Sequence, residues 1–94
     1  MIIGRPEFLL RARLDPKTLE LWIEEQWLLP VTSAAGLAFS ELDLARAGLI
    51  HQLIHDLGVN DDGVGIILNL LDQMHTVRKV LAEALELIAV KRDT

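Results

Sequence analysis

Apolar residues recur along this chain at spacings of three and four in most of its length, with one short interval where extended residues and turn residues take over. Met1–Ile3 reads as an unpaired or edge strand, broken by Gly4-Arg5-Pro6. Pro6 suits the first turn of a short helix carrying Phe8, Leu9 and Ala12, because its missing N–H has no helical partner there anyway. Asp15 then offers an N-cap carboxylate and Pro16 the first position of a second helix, running from Pro16 to Gln26 or Trp27. On a helical wheel, Leu19, Trp22, Ile23 and Gln26 fall on one side of it, and Lys17, Glu20, Leu21, Glu24 and Glu25 on the other. Leu28–Val31 is extended by composition, Thr32–Gly36 supplies a turn, and Leu37–Phe39 returns as a second strand.

Ser40 followed by Asp43 is a capping-box variant that opens a third helix, with Leu42, Leu49, Ile50, Leu53, Ile54 and Leu57 as its expected buried stripe. Gly58 stands where a left-handed C-cap is wanted. Asn60 caps a fourth helix, and Asp61 and Asp62 sit at the positive end of its dipole. Gly63 and Gly65 weaken the first turn by roughly 1 kcal/mol each against alanine, or permit close packing against a neighbour. From Val64 to Val90 nothing stops this helix, which with its first turn is roughly 30 residues and, at 1.5 Å per residue, about 45 Å long. Ile67, Leu70, Met74, Val77, Leu81, Ala84 and Ile88 form a heptad seam along it. The expectation is a domain over residues 1–60 and a long helix over 61–94 that packs on the domain and pairs with a partner subunit as a homodimer. The last residues, 90–94, read as a polar, frayed end.

Size sharpens the case for pairing. With 94 residues, 51% of them hydrophobic, and a mean hydropathy of +0.33, the chain has more apolar side chains than a domain of this size covers by itself. A net charge of -5 argues against general attraction to phosphate backbones or anionic lipid, and for basic partners. Absence of cysteine removes disulfides, thiolate metal sites and cysteine nucleophiles. No apolar run approaches the roughly 20 residues of a membrane span, and Arg5 and Glu7 interrupt any leader, so a soluble cytoplasmic protein is expected.

Helix, helix, wing, helix and long terminal helix is the order of the MerR-type winged-helix superfamily. Thr18–Trp22 (TLELW), Leu28–Pro30 (LLP) and Gly36–Ser40 (GLAFS) resemble that family's T-L-R-Y-Y, G-L-L-P and G-Y-R-x-Y-S patterns. Two departures matter: Glu20 and Ala38 stand where DNA-binding members carry arginine. Within the superfamily the chain resembles the chaperone-modulator, CbpM-like branch from Leu10 to Leu85, most of all over Leu14–Pro30, Phe39–Leu53 and Asp56–Val77. The resemblance implies a mainly α, MerR-like winged helix-turn-helix with a short two-stranded wing and a long C-terminal helix. It also implies an inhibitor that binds the J-domain of a DnaJ-like co-chaperone, CbpA, blocking both its work with DnaK and its association with DNA.

Glu20, Glu24 and Glu25 surround Leu21 on the outer face of the second helix; such a face serves solubility, or it anchors a basic amphipathic helix. The alternative function is a MerR-type transcriptional regulator, for which Arg11, Arg13 and Lys17 offer a few phosphate contacts, although three carboxylates repel the backbone. His51 and His55, at i and i+4, have zinc spacing, but without a third ligand they read as a solvent-exposed or partner-facing pair on the side away from Leu42, Leu49 and Leu53. His75 reads as a polar flank of the seam. No catalytic residue, metal site or cofactor is expected: Ser33 and Ser40 are a turn and a cap, and Asn60–Gly63 lacks the ligand spacing of a calcium loop. Arg46, near the buried side of the third helix, calls for an acid partner, Trp22 is core, and Trp27 is core or rim.

Overall fold

The computed structural model describes residues 2–92 as four helices and a three-stranded antiparallel sheet. Strand β1 (Ile3–Gly4) leads into α1 (Arg5–Ala12), then α2 (Pro16–Glu24), β2 (Val31–Ser33), β3 (Gly36–Phe39), α3 (Glu41–His51) and α4 (Asp61–Arg92). Met1 and the last residues of the polar end, Asp93 and Thr94, lie outside the described residues.

The wing has one strand more than the sequence pattern predicts. β1 pairs antiparallel with β3, Ile3 opposite Phe39, and β2 flanks β3 on the other side, giving the order β1-β3-β2. Between β2 and β3 the tight turn is Ala34-Ala35, and the positive φ of 111° falls on Gly36, where no Cβ opposes it.

Each helix begins as its local chemistry dictates. The Asp15 carboxylate accepts a 2.7 Å hydrogen bond from the Thr18 N–H at the start of α2. At α3 the full capping box forms: the Asp43 N–H donates to Ser40 Oγ at 3.2 Å, and the Ser40 N–H to Asp43 Oδ2 at 3.0 Å. Asp43 Oδ1 also accepts from the Leu29 N–H at 3.3 Å, so one buried carboxylate fastens the wing to α3. Asn60 Oδ1 accepts from the Gly63 N–H at 2.8 Å, and Gly58 closes the preceding turn at φ 65°. Gly63 is bound to its place, because a Cβ there meets the Val59 side chain at 2.7 Å.

α2 ends at Glu24, two or three residues earlier than the sequence pattern suggests. Gln26 turns left-handed, φ 64°, and the Trp27 N–H closes back on the Trp22 carbonyl at 2.9 Å. Gln26 is therefore exposed rather than part of the inward face. The turn carries both tryptophans inward instead, their ring centroids 6.1 Å apart, and Trp27 belongs to the core.

The core gathers Ile3, Phe8, Leu19, Trp22, Leu28, Phe39, Ile50 and the first turns of α4 through Val64 and Leu68. Phe8 of α1 stacks on Phe39 of β3 with centroids 4.2 Å apart. On α3 the expected stripe is corrected: Leu42 and Leu57 are 69% and 70% exposed, while Asp43, Ala47 and Ile50 face inward. Ile50 and Leu53 are buried and Leu49 and Ile54 partly so, as predicted. After His51 the helix loosens into a π-helical turn, Gln52–Asp56. α4 runs 32 residues, about 48 Å at the standard rise, in a molecule 55 × 36 × 19 Å in extent. From Asn69 to Val90 every one of its residues is exposed. Among the described residues no helix is long and apolar enough to cross a membrane.

Candidate functional site

α1 and α2 meet across a tight turn at Arg13, which takes the left-handed conformation (φ 56°) that lets the Leu14 N–H reach the Leu9 carbonyl at 3.0 Å. This turn buries Leu14, Leu19 and Trp22 against the domain and leaves the other side of α2 to solvent. Lys17, Glu20, Leu21, Glu24 and Glu25 are all exposed, as the wheel predicts. Leu21, at 46% exposure, lies among them in a shallow groove of about 350 Å³ lined by Lys17, Thr18, Glu20 and Glu24.

The charges on this face are not equivalent. Arg5, from the start of α1, reaches Glu20 at 3.2 Å in an exposed ion pair. Glu24 and Glu25 have no ion-pair partner among the described residues, so the uncompensated negative charge lies toward the C-terminal end of α2. At the opposite end, hydrogen bonds from the Thr18 side chain and backbone hold the Asp15 carboxyl below its ordinary 3.8. Ala38, one of the two departures from the DNA-reading pattern, is buried in β3.

Beyond Glu25 the surface continues into a cleft of about 610 Å³ between the end of α2 and the first turns of α4. Glu25, Asp61, Asp62 and Asp72 line it, with Trp27 and Arg46. The juxtaposition is invisible to local pattern, because the contributing residues are far apart in sequence. Arg46 is the partnered arginine the sequence calls for: its Nε donates to the Trp27 carbonyl at 2.8 Å and its guanidinium meets Asp72 at 2.7 Å.

His51 corrects the expectation of a solvent-facing histidine pair. It is half-buried, its ring edge against Trp22 at 5.2 Å, and its Nε2 lies 3.1 Å from the Ala12 carbonyl, which only an N–H can satisfy. His51 therefore ties α3 to the end of α1. Its ring stacks on that of the exposed His55, centroids 5.5 Å apart. No third histidine or carboxylate completes a metal-binding group among the described residues. His75 lies beside Leu42, Leu49, Leu71 and Asp72 at an apolar groove between α3 and α4.

The predicted seam residues Leu70, Met74, Val77, Leu81, Ala84 and Ile88 are all exposed, and Ile67 alone is half-buried against the core. No curated protein and no solved structure matches the chain. The model of a family described as MerR HTH family regulatory protein matches residues 3–84, from β1 well into α4. That span contains the helix-turn-helix of α1 and α2, the wing and the start of the long helix, and the chain belongs to the MerR HTH family of regulatory proteins.

Proposed function

We propose that the exposed face of α2 docks a basic helix of a protein partner, and that this partner is the J-domain of a DnaJ-like, CbpA-type co-chaperone, which the protein inhibits. One observation carries the reading: where a helix-turn-helix module presents its reading surface, this chain presents Leu21 between Glu20 and Glu24, with Glu25 adjoining. An accessible leucine ringed by carboxylates suits an amphipathic basic helix, the leucine as anchor and the charges setting orientation and association rate. The resemblance to chaperone modulators supplies the identity of the partner, since J-domains present a basic second helix beside a His-Pro-Asp loop. Inhibition follows by occlusion, because the covered helix is the one that docks on DnaK.

Titration calorimetry with a purified J-domain tests this. Glu24→Lys combined with Glu25→Lys reverses the uncompensated charge and lowers affinity by more than about tenfold, as expected where several close charge pairs are inverted. Leu21→Ala weakens binding without altering its salt dependence. Raising salt from about 50 to about 500 mM weakens the wild type, since the groups are exposed and screened. Unchanged affinity in the double variant sinks the assignment of this face.

Membership of a regulatory helix-turn-helix family favours a second reading, a DNA-binding transcriptional regulator using Arg11, Arg13 and Lys17 on phosphates. Residues 5–25 carry four basic side chains (Arg5, Arg11, Arg13, Lys17) against five acidic ones (Glu7, Asp15, Glu20, Glu24, Glu25), a poor balance for that role. A gel shift with mixed genomic fragments separates the two readings, because a DNA reader retains measurable non-specific affinity. We further propose that the protein works as a homodimer closed by the α4 seam Ile67, Leu70, Met74, Val77, Leu81, Ala84 and Ile88.

A further inference from the structure

The cleft at the end of α2 holds two kinds of group that the fold itself leaves unused. The first is charge. Glu25 is the C-cap of α2, at the negative end of that helix's dipole, where a carboxylate is disfavoured, and it has no ion-pair partner among the described residues. Asp61 and Asp62 line the same cleft from the start of α4, where the dipole favours them, yet they too are exposed and lack a countercharge among the described residues. Arg46, the basic group in the lining, is already engaged by Asp72 and the Trp27 carbonyl.

The second is a donor. Trp27 is 5% exposed, and while its carbonyl accepts from Arg46, its indole N–H makes no hydrogen bond among the described residues. No wholly buried side-chain nitrogen or oxygen among them lacks a partner, so the little of Trp27 that is open includes Nε1. Gly65 keeps it open: a Cβ there would stand 3.6 Å from Nε1, and without one the indole N–H faces the cleft that both residues line. An indole N–H only donates, so whatever meets it accepts. Three uncompensated carboxylates around the same space repel an anion, which leaves a neutral oxygen carried beside a positive charge. The C-terminal end of a basic helix offers both, because its last carbonyls have no partner within the helix and lysine or arginine is favoured in its last turn.

We infer that the cleft receives the C-terminal end of a basic helix of a protein partner. A lysine or arginine side chain lies among Glu25, Asp61 and Asp62, and a terminal backbone carbonyl accepts from Trp27 Nε1. The choice of a helix as occupant rests on the reading of the α2 face given above, and the cleft adds the direction in which that helix lies, its C-terminal end toward α4. The uneven charge of α2 agrees, since Glu20 is paired with Arg5 and the uncompensated carboxylates stand at the cleft end.

NMR of the two tryptophan indole N–H groups in the isotope-labelled full chain tests the inference. The probes are blocked, alanine-rich peptides of about 15 residues, one with its lysines in the last turn and one with the same lysines in the first turn. The former is expected to move the Trp27 indole proton downfield and leave that of Trp22 in place; the latter, equal in charge, leaves both. Gly65→Ala sets a methyl against Nε1 while favouring the helix, so the thermal midpoint is held or raised and affinity for the first peptide falls about fivefold or more. An unmoved Trp27 indole, an equal response to both peptides, or unchanged affinity in Gly65→Ala overturns the inference. A purified J-domain as third probe separates it from the reading it rests on. J-domain binding that Glu24→Lys with Glu25→Lys abolishes, but that leaves the Trp27 indole unmoved, overturns the cleft and keeps the α2 face. Peptide binding that moves Trp27 in a chain that binds no J-domain keeps the cleft and removes that partner.

Discussion

Arg46 holds three parts of the molecule at once, and its two bonds differ in worth. Its guanidinium side chain is mostly buried, whereas Asp72 is largely exposed, so the ion pair between them is screened and contributes little. The bond from Nε to the Trp27 carbonyl matters more, because removing the donor leaves a carbonyl at the buried end of α2 without its partner. Arg46→Met is therefore expected to cost about 1–3 kcal/mol of stability, and Asp72→Asn less than about 1 kcal/mol. Urea unfolding of both variants measures the difference, and equal losses refute this ranking. Sequence alone calls for an acid partner of Arg46 but does not identify it, since Asp72 is 26 residues away on another helix. The same limit explains Leu42. A wheel ranks leucine inside and aspartate outside, yet Asp43 is buried at little cost because both its oxygens accept hydrogen bonds, and Leu42 is turned out.

At the scale of elements, the helix starts were legible because capping is local: Asp15 with Thr18, Ser40 with Asp43 and Asn60 with Gly63 each span three residues. Pairings between distant segments were not. β1 joins the wing through register with Phe39, and nothing near Ile3 announces that partner. His51 likewise meets Ala12 and Trp22 only once α1 and α2 have folded over α3. The exposed face of α2 is legible in its periodicity, since its inner side is apolar at every expected position except Gln26, which lies past the helix end. The Asp15 cap also gives this element a pH dependence. With its carboxyl held below 3.8 by Thr18, the folded-state value lies under the unfolded one. Its contribution is full above the unfolded value and is lost as pH falls through the folded value. In acid titration followed by near-UV dichroism of the tryptophans, Asp15→Asn flattens the part of the stability loss below about pH 4.

For the whole molecule, the separation of a small packed domain from a rod that leaves it is what the family pattern carries, and the rod is where the domain's own packing ends. From Asn69 to Val90 every residue of α4 is exposed, and only its near end touches the domain, through Asp72 and the groove at Leu71 and His75. A helix of about 20 residues without a packed face is marginal in water, because nucleation is costly and propagation gains little. The far half of α4 is thus a segment whose order depends on company. Arg78 and Lys79, the cleavage points of trypsin, sit in the middle of it. In concentrated solution the assembled helix should resist the protease; on dilution, cleavage there should outpace cleavage at Arg11, Arg13 or Arg46, as followed by mass spectrometry of timed digests. With the proposed α4 seam closed, such a protein would report its own abundance: below the pairing threshold its tail lies open to proteases, so the surface proposed to join two copies would also set the lower limit on how much of it persists.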